Sequence, residues 1–411
     1  MQYSDFKGER LSKLGFGAMR LPLLADRHTI DEPRLAEMLD YAMSHGVNYY
    51  DTAYPYHDGL SETVLCRLLK KYPRSTYFLA DKYPGHQLND TYNPAEVFEH
   101  QLRKCGVDYF DFYLMHNVYE NSIEVYLDPA WGIMDYFVEQ RRLGRIRHLG
   151  FSAHGGLDTL RRFLDSPWGE QVEFCQIQLN YVDWTLQHAA EKCRLLAGRG
   201  LPVWVMEPVR GGRLAALDDA ARSRLQTLRP DASAASWAFR WLQTVTPEVK
   251  VVLSGMSSLE QMRDNVQTFA DDVPLSSQEL SELERVAASL CDMVPCTACR
   301  YCCDSCPQAL DIPAMMAALN DLRVDASFTA PMYVESLPED KRPSACLGCG
   351  ACAAMCPQQI DIPAAMEELV RRLDAMPKWS DICRIRNEIA RKQAGDGYRV
   401  SPSGSAAPTQ P

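Results

Sequence analysis

Two cysteine runs of identical spacing, fifty residues apart, constrain this chain more than any other feature: Cys296, Cys299, Cys302 and Cys306, then Cys346, Cys349, Cys352 and Cys356. Each reads C-x2-C-x2-C-x3-C-P and closes on Pro307 or Pro357. That spacing wraps thiolates around iron-sulfur cubes. Structural zinc normally pairs two cysteines with a distant second pair, a layout these steps of three do not match. Two 4Fe-4S clusters are therefore expected on the eight cysteines. Disulfides fit less well, because the start, MQYSDFKGER, is polar and charged and lacks an apolar secretory core. The expected compartment is a reducing cytoplasm. Cys303 adjoins a ligand and is an alternative to Cys302, while Cys66, Cys105, Cys175, Cys193, Cys291 and Cys383 read as isolated thiols.

The repeat extends past the cysteines, since CPQALDIPAMMAAL after the first run matches CPQQIDIPAAMEEL after the second. Asp311 and Asp361 stand two residues before Pro313 and Pro363, prolines that suit a first helical turn, where a missing N–H costs nothing. A cluster loop feeding a helix, twice, resembles the alpha-helical ferredoxins that supply electrons within larger enzymes. In two-cluster proteins of this kind the fourth cysteine of each run serves the other cluster. The resemblance thus implies Cys296, Cys299, Cys302 and Cys356 on one cluster, and Cys346, Cys349, Cys352 and Cys306 on the second. Residues 320–345, with Pro331, Pro338 and Pro343, read as an inserted surface excursion. The end, GDGYRVSPSGSAAPTQP, reads as a mobile tail.

At 411 residues the chain is longer than one ordinary domain. Before the cysteines, KLGFGAM, VNYYDT, TYFLADK, YFDFYLMH, RIRHLGFS, VEFCQIQL, LPVWVM and VKVVLS read as eight strands. Amphipathic stretches such as EPRLAEMLDYAMSHG, SETVLCRLLKKY, NPAEVFEHQLRKCG, MDYFVEQRRLG, LQHAAEKCRLLAGRG and ASAASWAFRWLQ alternate with them. The pattern predicts an α/β fold, a (β/α)8 TIM barrel over 1–290. A small, mostly helical ferredoxin-like iron-sulfur domain over 291–395 and a disordered tail over 396–411 complete the expected organisation. No G-x-G-x-x-G follows the first strand, against a Rossmann domain. A net charge of −11 repels phosphate backbones, so no nucleic-acid partner is expected, and no membrane span is visible.

In a TIM barrel, polar residues at the C-terminal ends of strands face the active-site mouth. Asp51 ends the second strand and Tyr56 follows it, Lys82 ends the third, and His116 ends the fourth. Singly, each has an ordinary explanation as a loop cap, packing, a solvated cation or a structural histidine. Their arrival together at three consecutive strand ends points to chemistry.

The segments LGFGAMRLP, DTAYPYHDGLSE, LADK, GVDYFDFYLMH, GRIRHLGFSAHG and GMSSLEQMRDN make residues 10–290 similar to the aldo/keto reductases. The resemblance implies Asp51, Tyr56, Lys82 and His116 as a catalytic tetrad and a carbonyl or alcohol as the small-molecule substrate. A phenol titrates near ~10 and is a poor acid near neutrality unless neighbours stabilise its anion, the service expected of Lys82 held by Asp51. The resemblance also implies NADPH or NADH, with Ser152 and Gln176 at the carboxamide and Ser257, Ser258, Gln261 and Asn265 on the nucleotide side. Ser257 and Glu260 are spaced as a capping box, and a helix start there suits a phosphate. This chain departs from the family at Ala153, where asparagine is usual, and at Met206, where an aromatic stacks. It also has Gln261 for a common arginine and Gly255 for a common lysine, with Arg263 the nearest cation.

Nicotinamide delivers a hydride, whereas a cluster takes one electron at a time. A flavin would bridge the two, although no motif places one. An electron-transfer protein is the other open partner. The expected function is a nicotinamide-dependent carbonyl/alcohol oxidoreductase coupled to the clusters. The alternatives are a nicotinamide-independent reductase fed by the clusters, or a non-enzymatic electron-transfer subunit.

Overall fold

All eight expected strands form, and in the computed structural model they close into one parallel barrel. The structure describes residues 1–394 apart from Arg27, 88–92, Pro247, Cys291, Asp292, Pro295, Thr297, 325–326 and Pro357; the expected tail lies outside the described residues. In chain order the strands are β1 (Tyr3–Phe6), β2 (Glu9–Ser12), β3 (Leu14–Gly17), β4 (Tyr49–Asp51), β5 (Phe78–Tyr83), β6 (Phe110–Val118), β7 (Ile146–Ala153), β8 (Cys175–Gln178), β9 (Val203–Met206) and β10 (Val249–Ser254). Strands β3 to β10 pair in sequence order, and β10 returns to β3.

The helices between them are punctuated as the sequence suggests. Glu32–Ser44 begins at Asp31, whose carboxylate accepts the Arg34 N–H, and buries Leu35, Met38, Leu39 and Ala42. Pro94–Cys105 begins at Asn93 and ends on Gly106, whose φ of 61° lies in the left-handed region.

Strands β1 and β2 form a hairpin that the sequence reading passed over as a polar start. Lys7 and Gly8, with φ of 49° and 90°, make the two-residue turn that right-twisted strands require. The hairpin drives Phe6 and Leu11 into the N-terminal end of the barrel, against Tyr49, Phe112, Phe174 and Trp204. Phe6 meets Trp204 edge-on at 5.0 Å. Each such apolar side chain contributes about 1.5–3 kcal/mol by burial, and together they seal that end.

After the barrel, the helices Ile312–Val324 and Ile362–Asp374 each follow one cysteine run and pack on each other through Met315, Met316, Leu319, Ile362, Met366 and Leu369. Asp361 caps the second helix by accepting the Ala364 N–H at 3.1 Å.

The stretch expected to be a surface excursion is instead part of the roof over the barrel. It forms the helix Thr329–Ser336, which buries Ala330, Pro331, Met332 and Val334. The helix Trp379–Ala394 joins it, tied down where the Glu335 carboxylate accepts the Trp379 and Ser380 N–H groups at 2.5 and 3.0 Å. The prolines that suggested a loop sit at helix starts and turns, where they do no damage. Among the described residues no helix is long and apolar enough to cross a membrane.

Candidate active site and cluster loops

The C-terminal ends of the strands bring the four singled-out side chains together. Lys82, fully buried, donates from Nζ to Asp51 Oδ1 at 2.5 Å and to the Thr52 carbonyl at 2.7 Å. Its ammonium lies 3.5 Å from the Tyr56 hydroxyl and 4.9 Å from the centre of that ring. The His116 ring stands edge-on to Tyr56 at 5.8 Å. Asp51, Tyr56 and His116 line one cavity of about 510 Å³, while Lys82 lies beneath its floor.

Burial acts against the Lys82 charge, but Asp51 and then Tyr56 more than offset it, so the ammonium is held above the ordinary lysine value. Burial pushes the Tyr56 phenol up from 10, and the Lys82 charge pulls it back only in part. Tyr56 therefore keeps its proton at neutral pH. Burial first, then His86 and Lys82, hold His116 well below 6.5, so its imidazole is neutral. His86 Nδ1 donates to the His116 carbonyl at 3.1 Å, which fixes the ring beside it.

Several polar atoms around this cavity are buried without a partner: Asp51 Oδ2, His116 Nδ1, Asn117 Oδ1, His154 Nδ1 and Gln176 Oε1. Orphaned buried groups are rare away from functional sites. Gln176 faces the cavity, with Nε2 3.7 Å from Met206 Sδ. Ser152 is nearly fully buried, and its hydroxyl accepts the Asn117 N–H at 2.8 Å. At the far side Ser257, Gln261 and Asn265 line the cavity. The helix Leu259–Thr268 is capped by Ser258, which accepts the Gln261 N–H, and not by the Ser257–Glu260 box expected from spacing. Ser257 instead donates its hydroxyl to the Arg20 carbonyl at 2.9 Å. A side chain added at Gly255 would meet the stem of Arg20, Cβ to Cβ at 3.1 Å. Arg20 also lines the cavity, whereas Arg263, the nearest cation in the sequence, lies over the Tyr41 ring, so Arg20 is the cation brought to this side.

The roof supplies residues that sequence reasoning missed. Ser327, Phe328, Thr329, Met332, Trp379 and Arg386 line the same cavity as Tyr56. Trp379 stacks on His86 at 6.2 Å. On the opposite flank Arg210, buried, bridges the carboxylates of Asp183 and Asp321. Asp183 is further satisfied by Gln178 and Asn180 at 2.8 and 2.6 Å, and Asp321 by Gln187 and Ser327 at 2.9 and 2.6 Å. Asp321 lies in the helix after the first cysteine run. The network therefore bolts the cluster module to the barrel.

In the module, a small enclosed cavity is lined by Cys296, Cys299, Cys302 and Cys356, together with Ile312, Pro313, Met316, Ile360 and Ile362. Three thiols of the first run thus share a pocket with the last thiol of the second. Cys352 in turn feels the thiols of Cys346 and Cys306. This donor set and its apolar surround fit iron-sulfur ligation. Among the described residues no three His, Cys, Asp or Glu gather for a single ion. Burial first, and then the neighbouring Cys303 thiol, push the Cys302 thiol up to about 12.

Comparison with known proteins agrees with this geometry. The Aldo/keto reductase family model matches residues 13–288, and the 4Fe-4S dicluster domain matches residues 295–360. The chain belongs to the aldo/keto reductase family of oxidoreductases and carries a 4Fe-4S dicluster domain behind its barrel. An uncharacterized oxidoreductase of Bacillus subtilis, YqkF, is 24% identical over 305 residues, 67% of this chain and 92% of that protein. The NADH-specific methylglyoxal reductase of Escherichia coli is 27% identical over 186 residues, 41% of this chain and 54% of that protein. A probable aldo-keto reductase of Glycine max is 29% identical over 38% of this chain and 45% of its own length, so this chain spans about half of the latter two relatives. Among solved structures, an aldo-keto reductase from Bacillus halodurans in its holo form superposes with a TM-score of 0.55 at 25% identity, over 70% of this chain and 96% of that one.

Proposed function

We propose that the protein is a nicotinamide-dependent oxidoreductase interconverting a carbonyl compound and an alcohol, coupled to two 4Fe-4S clusters held crosswise by the eight cysteines, in a chain divided near residue 290. The observation that carries this reading is the Lys82 ammonium lodged between Asp51 and the Tyr56 hydroxyl at the floor of the cavity. The relatives include an NADH-specific reductase, and a Klebsiella pneumoniae aldo/keto reductase of like fold was solved with NADP.

When bound, a reduced nicotinamide supplies the hydride to the carbonyl carbon, and one proton completes the alcohol. The chain's own residues manage charge and position. As the C=O electron pair moves onto oxygen, Tyr56 passes its hydroxyl proton to that oxygen, and the adjacent ammonium stabilises the phenolate left behind. Neutral His116 donates a hydrogen bond to the same oxygen without competing as an acid. In oxidation Tyr56 accepts the proton instead. Gln176, with an unpartnered carbonyl oxygen facing the cavity, suits the nicotinamide carboxamide, backed by Ser152. Ser257, Ser258, Gln261 and Asn265 at the helix start, with the added cation of Arg20, suit the nucleotide phosphates. The module cysteines hold the clusters that carry single electrons.

The test is anaerobic purification with iron, sulfide and flavin analysis, followed by titration with NADPH and NADH. The reading expects carbonyl reduction with at least one nucleotide and a fall of about 10³-fold or more in Tyr56→Phe, the general-acid share plus its oriented neighbours. A second reading, reduction fed by the clusters without nicotinamide, draws on Ala153 and Met206 and on the module roofing the cavity. Turnover with a ferredoxin reductant and with neither nucleotide would select it. Full activity in Tyr56→Phe would leave only an electron-transfer role.

A further inference from the structure

We propose that Arg386, reaching from the C-terminal helix into the roof of the cavity, is an anion-binding residue that selects substrates carrying a carboxylate beside the reacting carbonyl or hydroxyl. This assignment rests on the carbonyl/alcohol reading above and names its substrate class.

The helix Trp379–Ala394 packs on the turn Tyr56–Gly59 that presents the proton donor. Arg386 lines the same cavity as Asp51, Tyr56 and His116. Its guanidinium lies over the Trp379 ring at 5.9 Å, and Trp379 is itself anchored by Glu335 and stacked on His86. A guanidinium stacked on a fixed indole is oriented before any ligand arrives.

The charges around it leave it without a counter-ion among the described residues. On its own helix Asp381 and Glu388 are both taken by Arg384, at 3.1 Å each. On the barrel the Asp51 carboxylate is committed to Lys82. His86, His116 and His154 are held neutral, chiefly by burial and, for the first two, also by the Arg386 charge. The cavity's other carboxylates serve the nucleotide side: Glu207 lies near Arg20 and Arg210, and Asp264 accepts the Ser233 hydroxyl at 2.6 Å. The reacting end of the chamber thus carries one uncompensated, oriented, half-buried positive charge. A planar fork of N–H donors matches a carboxylate in a bidentate pair. A small oxo acid, or the corresponding hydroxy acid, would place its carboxylate on Arg386 and its carbonyl oxygen between Tyr56 and His116.

The test uses the full chain with its clusters, purified anaerobically. Oxamate binding is measured by titration calorimetry for the wild type, Arg386→Met and Arg386→Lys, with cluster absorbance confirming that each variant is folded. Loss of a charge-assisted hydrogen bond predicts weakening on the order of 10–100-fold in R386M, partly recovered in R386K. In parallel, kcat/KM for glyoxylate and pyruvate is compared with that for their methyl esters. The wild type should favour the acids, and R386M should lower the acid-to-ester ratio by about the same factor, mainly through KM. Oxamate binding equally well to wild type and R386M, or binding to neither, overturns the proposal, as does preference for glyceraldehyde 3-phosphate over every carboxylate. Absence of turnover on all carbonyls with both nucleotides, while R386M still loses oxamate, sinks the nicotinamide reading and leaves the anion site standing.

Discussion

The two halves of the cluster module share a spacing and a backbone but not a job. At offsets of fifty residues, Ala298 and Gly348, Arg300 and Gly350, and Ala309 and Gln359 all take left-handed φ values between 48° and 74°. The second half places glycine at two of these positions, where the conformation is free, whereas the first half forces Ala298 and Arg300 into it at a cost of about 1–2 kcal/mol each. The following helices diverge more. Ile312–Val324 is buried on nearly every side, and Asn320 clamps the chain entering the first run by accepting the Val294 N–H at 2.7 Å and donating to its carbonyl at 3.0 Å. Ile362–Asp374 buries a single stripe, and its last turn carries Arg371 and Arg372. Where the first helix has Asp321 locked to Arg210, the second has Arg371 at the equivalent place. One repeat docks and its copy faces outward, so attachment to the barrel is a property of a few side chains and not of the cluster-holding unit.

The comparison can be broken at the cysteines first, where the effect is largest. Cys356→Ser should remove the cluster held mainly by the first run, and Cys306→Ser the other, each leaving about four of eight irons by metal analysis. Loss of a variant's own-run cluster instead, read by electron paramagnetic resonance, would sink the crossed ligation. Next comes the bolt. Asp321→Ala leaves Arg210 buried without one carboxylate and should cost about 3–5 kcal/mol, freeing the roof to proteolysis. Its counterpart Arg371→Ala should stay within about 0.5 kcal/mol in the same thermal unfolding series.

Acid should also separate the docked face from the free one. Burial lowers His86 to about 3 and His154 to about 4, from 6.5 in the unfolded chain. Between those values and 6.5 the unfolded state binds more protons. Stability is therefore full above pH 6.5 and falls with acidification, by at most about 1.4 kcal/mol per pH unit for each histidine. Trp379 fluorescence should report roof release below about pH 6, before the second helix changes in hydrogen exchange. The smallest effect lies in the loops: a Cβ at Gly350 meets nothing within 4 Å, so Gly350→Ala should cost only the backbone term, about 1 kcal/mol. Ala298→Gly should recover a similar amount in chemical denaturation.

What could be read from the chain was what is local. The cysteine spacing, the eight strand runs and the three strand ends carrying Asp51, Lys82 and His116 each lie within a few residues, and the structure brings the last set together with Tyr56. The N-terminal hairpin escaped because its turn is Lys7–Gly8 and its strands are short and half polar, a weak signal without the barrel floor they fill. The helix cap fell on Ser258 and not Ser257 because the preceding serine was drawn off by the Arg20 carbonyl, a partner 237 positions away in the chain. The roof was illegible for the same reason. Arg210 meets Asp321 across 111 positions, and no periodicity or propensity encodes that encounter. Proline content alone argued for an excursion, and tertiary burial of Met332 and Val334 overrode it.

The hairpin closes one end of the barrel, and the roof over the other end is anchored through the helix that follows the first cysteine run. Loss of the proposed clusters to oxygen would loosen the Asn320 grip on the incoming chain and the Arg210 bolt, and would let water into the cavity beside Tyr56. Corrosion of the iron-sulfur domain would then be felt as a leak at the mouth of the barrel.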